Sequence, residues 1–185
     1  MKVIDTKLDG VKIIEPKIFG DNRGYFMESY NKERFTEFGL DYTFIQDNHS
    51  LSKEIGVLRG LHYQDSPYAQ TKLVRVISGA IVDVAVDLRI ESSTFGEWFS
   101  IVLTEENHRQ LLIPKGFAHG FCTLVANTQV TYKVDEIYSP EHDKGVKWND
   151  PDLSIQWPTV TPILSTKDMK LPELKDIKIP VPKGI

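Results

Sequence analysis

Nine residues, GVLRGLHYQ at 56–64, set a guanidinium, an imidazole and an amide into a strand-like run. Val57, Leu58, Leu61 and Tyr63 suit a strand that enters a core. Arg59, His62 and Gln64 do not. Lys72 follows in TKLVRV, and His119 in PKGFAHGF. A histidine with a lysine beside it suits one kind of chemistry. A carbonyl acidifies the neighbouring C–H, an imidazole takes that proton, and a cation or hydrogen-bond donor steadies the enolate oxygen. His62 fits the base and Lys72 the stabiliser, and such a reaction needs no cofactor. The simpler alternative is that both histidines fill a core with their nitrogens satisfied.

The spacing weighs against that alternative. Five residues separate Gly56 from His62, one separates His62 from Gln64, and six separate Lys72 from Gly79. Pro114, Gly116 and His119 follow as P-x-G-x-x-H. These spacings resemble the two motifs of the cupins, whose metal-binding members gather three histidines and a glutamate around one ion. Two of those four positions here hold Gln64 and Lys72. An ammonium repels a divalent cation and offers no lone pair. The expectation is a cupin frame whose metal site has been replaced, with no metal and with its polar residues facing a barrel interior.

Short runs rich in Val, Ile, Phe, Tyr and Thr fill most of the 185 residues, divided by Gly, Pro, Asn, Asp and Ser. Such a chain predicts an antiparallel sandwich or barrel. One short helix is expected in NKERFTEFG, with Asn31 as N-cap and Gly39 as the stop, and a second from Ser165 in STKDMK. In IVDVAVDL, Val82, Val84, Val86 and Leu88 share one face, and Ile81, Asp83, Ala85 and Asp87 the other. Lys72, Val74 and Val76 share a face in the same way. Asp87 and Arg75 are expected on a solvated outer face. The tail after Leu171 carries three prolines and is expected to be extended or partly disordered. Arg59 and His62 stand three apart, which in a regular strand puts them on opposite faces. A bulge at Gly60 would turn both inward.

The formal net charge of −4 points to neither nucleic acid nor a membrane surface. Cys122 is the single cysteine, so no intrachain disulfide forms, and Phe121 and Leu124 beside it predict a small buried residue. MKVIDTKLDG is charged throughout, unlike a signal peptide, and a cytoplasmic protein is expected.

Nearly the whole chain, in order, resembles the dTDP-4-dehydrorhamnose 3,5-epimerases, cofactor-free sugar epimerases of rhamnose synthesis. The matching stretches are FGDNRGYFMESY, QDNHSLSKEIGVLRGLHYQ, QTKLVRVISGAIVDVAVDLR, STFGEW, IPKGFAHGF, YKVDEIYSP, WNDPDLSIQWP and STKDMKLPEL. The resemblance implies an all-β, cupin-like jelly roll with a few short helices. It implies one domain over residues 1–185, with a barrel core at about 44–139 and a segment 163–185 that packs over the barrel or is extended. The substrate would be a dTDP-linked 4-keto-6-deoxy sugar. His62 would take the C3 and C5 protons, with Asp168 as its partner and Asp83 as a rival partner. Tyr132 would return a proton from the opposite face, and Lys72 would steady O4. Arg23 and Arg59 would take the diphosphate. Glu28, Gln46, Asp47, Asn48, His119 and Lys167 fall on ligand positions of the family. Tyr138 would stack on thymine, and Asp143 stands near a family glutamate. A homodimer is implied, with exchanged N-terminal strands and with Arg23 and Glu28 serving the neighbour's site. Phe19, Tyr25, Phe26 and the three tryptophans are assigned to core or dimer interface. Two alternatives remain: a single-centre epimerase or ketoisomerase on a related 4-keto sugar nucleotide, and a non-catalytic or metal-dependent cupin.

Overall fold

The computed structural model describes residues 1–177. The chain opens with β1 (Lys2–Asp5) and β2 (Lys12–Glu15), then a hairpin of β3 (Ile18–Asp21) and β4 (Gly24–Met27). Helix α1 (Lys32–Glu37) leads to β5 (Gln46–Ser52), β6 (Leu58–Gln64), β7 (Lys72–Ser78) and β8 (Ala80–Asp87). Then come β9 (Trp98–Thr104), β10 (Gln110–Ile113), β11 (Phe117–Thr123), β12 (Thr128–Val134) and β13 (Asp143–Gly145). Pro16 has no N–H to offer a ladder, and it divides VKIIEPKIF into β2 and β3.

Two antiparallel sheets face each other. One has the order β1-β2-β10-β7-β12-β5, the other β13-β6-β11-β8-β9. The order interleaves strands distant in sequence, as a jelly roll does. Val74, Val76, Ile81, Ala85, Leu111 and Phe121 fill the space between the sheets. The outer faces are covered too. Phe35 of α1 and Leu40 pack on Ile14, Leu73 and Leu112. Val146, Leu153 and Ile155 pack on Val84, Val86 and Leu88. Asn31 caps α1 by accepting the Arg34 N–H at 3.2 Å, and the helix ends before Gly39. No helix among the described residues is long and apolar enough to cross a membrane.

Several expectations need correction. Asp87 is not on a solvated face. It is fully buried, and its carboxylate accepts from Arg89, Ser92 and Thr94 at 2.7–2.9 Å. Burial alone would raise its pKa, but these donors outweigh it and hold the acid at about 2. Arg75 does lie on the outer face of its sheet, half-buried. Phe19, Tyr25 and Phe26 are not core residues of this chain. They sit on the β3–β4 hairpin, 50%, 57% and 66% exposed. The segment from Ser165 makes only a short 3-10 turn, Asp168–Lys170, and a second such turn spans Leu174–Asp176. The last residues of the proline-bearing tail lie outside the described residues.

The chain after β13 forms a strap back over the barrel. Ile163 bridges Val57 in parallel, Pro172 accepts from the Lys147 N–H at 2.8 Å, and Asp150 accepts from the Leu174 N–H at 2.7 Å.

A bulge interrupts β6. His119 lies opposite His62 and Phe121 opposite Arg59, so three steps along β6 match two along β11. The extra residue turns Arg59 and His62 toward one cavity. Gly60 has φ +129°, and a Cβ there would lie 2.5 Å from Gly120 Cα and 2.8 Å from the His119 carbonyl oxygen. Gly60→Ala should therefore cost about 3 kcal/mol or more, since backbone on both sides leaves nothing flexible to yield. Urea denaturation of the variant against wild type measures this.

Candidate active site

Between the sheets lies a cavity of about 430 Å³. The five-stranded sheet supplies Arg59, His62 and His119 to its lining, and the six-stranded sheet supplies Ser50, Lys72 and Tyr132. Tyr138, Asp143, Lys167 and Asp168 also line it, the last two carried by the strap.

His62 Nε2 lies 2.7 Å from Asp168 Oδ1. Asp168, not Asp83, is thus the carboxylate that touches His62. It is 3% exposed, and its backbone N–H donates to Ser165 Oγ at 3.0 Å. Leu171 seats the strap against Gly145, where an added Cβ would stand 2.7 Å from a Leu171 methyl. Burial would raise the Asp168 acid, yet the bond from His62, its charge, and donors at Ser165 and Gly60 leave it below the ordinary value. With Nε2–H committed to Asp168, the neutral ring keeps its lone pair on Nδ1, the arrangement of an oriented base.

Lys72 is 8% exposed and donates to the His62 carbonyl at 3.3 Å. Burial pushes its pKa down to about 8, against the opposing pull of Asp143 and Asp83. Tyr132 is half-buried. Desolvation and the charge of Asp143 raise its pKa, so it stays protonated at neutral pH. His119 Nε2 pairs with Asp83 Oδ1 at 2.7 Å.

Gln64 is a structural tether. Its amide donates to the carbonyls of Tyr68 and Ile137 at 2.6 and 3.0 Å and accepts the Ser139 N–H at 2.7 Å. Both ends of its amide are thus committed. Among the described residues no cluster of three or more His, Cys, Asp or Glu is placed to hold a metal.

At the rim, Asp143 accepts the Tyr138 hydroxyl at 2.9 Å and a close ammonium contact from Lys167. Gln46 accepts the Tyr138 N–H at 3.2 Å and donates to Asn48 at 2.9 Å. Arg59 is exposed and donates to Ser52 and to the Leu51 carbonyl at 3.3 and 3.2 Å.

Five expected ligands are not among the residues lining this cavity: Gln46 and Asn48, which adjoin it only through the Tyr138 N–H that Gln46 accepts, and three that stand apart from it. Asp47 alternates to the outer face, where it pairs with Lys133 at 2.8 Å. Arg23 is on the hairpin and forks onto Asp21. Glu28 pairs with Arg34 at 3.3 Å. Ser50 and Ser165 were missed by sequence reasoning. Ser50 shares a face with Gln46 and Asn48 along β5, and that period of two is the signal for it. Its hydroxyl is buried without a partner among the described residues.

The family model described as dTDP-4-dehydrorhamnose 3,5-epimerase matches residues 5–176. This chain belongs to the dTDP-4-dehydrorhamnose 3,5-epimerase family. It is 52% identical to the dTDP-4-dehydrorhamnose 3,5-epimerase of Shigella flexneri over 170 residues, 91% of this chain and 93% of that one. Its fold superposes on the Bacillus anthracis dTDP-4-dehydrorhamnose 3,5-epimerase with TDP and pyrophosphate bound. The TM-score is 0.92 at 58% identity, covering 94% of this chain and 99% of the other. The Legionella pneumophila dTDP-6-deoxy-D-glucose-3,5-epimerase, in complex with dTDP-4-keto-L-rhamnose, gives 0.91 at 48% identity, covering 96% and 94%.

In this member of the dTDP-4-dehydrorhamnose 3,5-epimerase family, Lys72 should lose its proton at about pH 8, well below an ordinary lysine. Below that pH it is an ammonium, and above it a neutral amine. Titration of lysine ε-carbons by NMR, with Lys72→Met to assign the signal, checks this.

Proposed function

We propose that the protein converts dTDP-4-dehydro-6-deoxy-D-glucose to dTDP-4-dehydro-L-rhamnose by inverting C3 and C5, a step in making dTDP-L-rhamnose. The observation that carries the reading is that His62 and Tyr132 line one cavity from different sheets. A sugar between them meets a base on one face and a hydroxyl acid on the other. That is what inversion needs, because one group on one face only restores the centre.

His62 Nδ1 takes the proton next to the C4 carbonyl, and Asp168 steadies the imidazolium. The electron pair moves to O4, where the Lys72 ammonium meets it. Tyr132 gives its proton to the carbon from the other wall. His62 then releases a proton and Tyr132 regains one, and the second carbon follows the same course. The chemistry runs on these side chains without a cofactor. Arg59 suits the diphosphate because a guanidinium forks onto phosphate oxygens. Tyr138 at the rim offers a ring for thymine, with Gln46, Asn48, Asp143 and Lys167 around it, and His119 faces the sugar end. This reading places the enzyme in the cytoplasm, with the nucleotide sugar as its small-molecule partner.

We also propose a homodimer in which the β3–β4 hairpin reaches a neighbour's cavity with Arg23 and Glu28. Its support is the exposure of Phe19, Tyr25 and Phe26 beside an arginine that does not reach its own cavity. Arg23→Ala and His62→Ala proteins, each impaired alone, should regain activity when unfolded and refolded together. A mixed dimer carries one site with both residues intact. No gain on mixing rejects the sharing of Arg23.

The reaction itself is tested by NMR of the 4-keto sugar nucleotide in D2O. Deuterium entering C3 and C5, with inversion at both, is expected. Deuterium at one carbon only makes the enzyme a single-centre epimerase, and none removes the reading. Tyr132→Phe should still exchange substrate hydrogen for deuterium through His62, while inversion falls by about 10²-fold or more. Wild-type inversion in that variant assigns the acid elsewhere.

A further inference from the structure

The mechanism above leaves one buried carboxylate of this region unused. Asp83 lies on the inward face of β8 and is fully buried. Its Oδ1 accepts from His119 Nε2 at 2.7 Å, and its Oδ2 is buried with no hydrogen-bond partner among the described residues. The structural carboxylates of this fold are different. Asp87 has both oxygens taken by Arg89, Ser92 and Thr94. Asp150 spends both on the backbone N–H groups of Asp152, Leu153 and Leu174. A buried carboxylate oxygen without a donor is costly to keep, and a residue serving only the fold gains nothing by it. Replacing Asp83 by an apolar residue would leave β8 with the Ile and Ala pattern it already has on that face.

The neighbourhood shows what the charge acts on. Asp83 sits behind His119, which lies opposite His62 in the ladder of β11 on β6. Lys72, on the facing sheet, is buried with a single weak hydrogen bond to a backbone carbonyl. Asp143 and Asp83 are the two acids whose charges favour its ammonium, and Lys167 opposes it. Arg59, His62, Tyr63, His119, Tyr132, Tyr138 and Asp168 are the other titratable groups lining the same cavity.

We propose that Asp83 is a positioning residue for the oxygen that becomes charged during proton abstraction, holding the His119 ring in one orientation and the Lys72 ammonium in place on the opposite wall. This rests on the epimerase reading of the site. The cavity then holds two histidine–carboxylate pairs with different duties. His62 with Asp168 moves protons at carbon. His119 with Asp83 does not leave its tautomer, and it presents a fixed ring beside Lys72 where O4 gathers charge. Asp83 touches neither the sugar nor a reacting atom, so it acts only through these two groups.

The test is Asp83→Asn, which keeps the shape and an oxygen to accept from His119 and removes the charge. The kcat should fall about tenfold, less than the 10²–10³ lost when such a donor is removed outright, with KM within about twofold of wild type. The alkaline limb of kcat/KM should move to lower pH, because the lost carboxylate had favoured the Lys72 ammonium. A wild-type rate and profile overturns the proposal. So does an equal loss of binding and turnover with the limb unmoved, the signature of a structural role. A second arm needs no variant. In wild-type protein with nitrogen-15 histidine, the His119 ring should be locked with Nε2 protonated and that proton slow to exchange with solvent. The signal lost in His119→Asn assigns it. Fast exchange or an Nδ1–H tautomer there also overturns the proposal. If the wild type neither exchanges nor inverts the sugar, the epimerase reading fails, and the ring measurement alone decides how Asp83 holds His119.

Discussion

Gly60 and Gly120 let β6 and β11 approach more closely than a side chain on either would permit. Much of the site follows from this crossing. The extra residue at Gly60 reverses the alternation of β6, so Arg59 and His62 reach the same cavity although they are three apart. The same crossing sets His119 opposite His62. An ordinary ladder would have sent either the guanidinium or the imidazole out of the cavity. The cationic cavity is therefore a product of backbone geometry first and of residue choice second.

The second constraint is electrostatic. The cavity gathers His62, His119, Lys72 and Arg59 between two sheets whose shared core is mainly apolar. Buried charge is tolerated when it is paired or when its protonation adjusts. Each histidine has its own carboxylate, Asp168 or Asp83. Lys72 has no such direct partner among the described residues, and its affinity for the proton drops instead. An ammonium that holds its proton loosely, with few bonds to compete for it, is well suited to meet a forming oxyanion. On the proposed reading, this side chain would stand in for the Lewis acid that a cupin's bound ion supplies.

Much of this was legible in the residues, and the exceptions have causes. Asn31 and Gly39 marked the helix because capping is local chemistry. Val82 to Leu88 announced their two faces because a strand has period two. The same pattern misjudged Asp87, since alternation says which residues share a face but not whether a later loop brings Arg89, Ser92 and Thr94 to cover it. Asp47 was grouped with Gln46 and Asn48 by family position, whereas alternation sends it to the other side to meet Lys133. β1 and β13, strands of four and three residues, carry too little pattern to be read from the sequence. The pairing of Asp168 with His62 spans 106 residues. Only the resemblance pointed to it, because nothing local at either residue names the other. Arg23 and Glu28 are as exposed as a turn and strand end would suggest, and neither lines the cavity that holds His62.

The strap has a consequence for how the protein comes to life. Synthesis runs from the amino end, so the strands that build both sheets emerge before Asp168 does. A barrel that has just closed already owns His62, Lys72 and Tyr132, but its imidazole has no carboxylate to orient it. On the proposed reading, the base would be oriented last, once Leu171 lies against Gly145 and the Asp150 carboxylate holds the Leu174 N–H. The segment that aims the imidazole is among the last that the ribosome delivers.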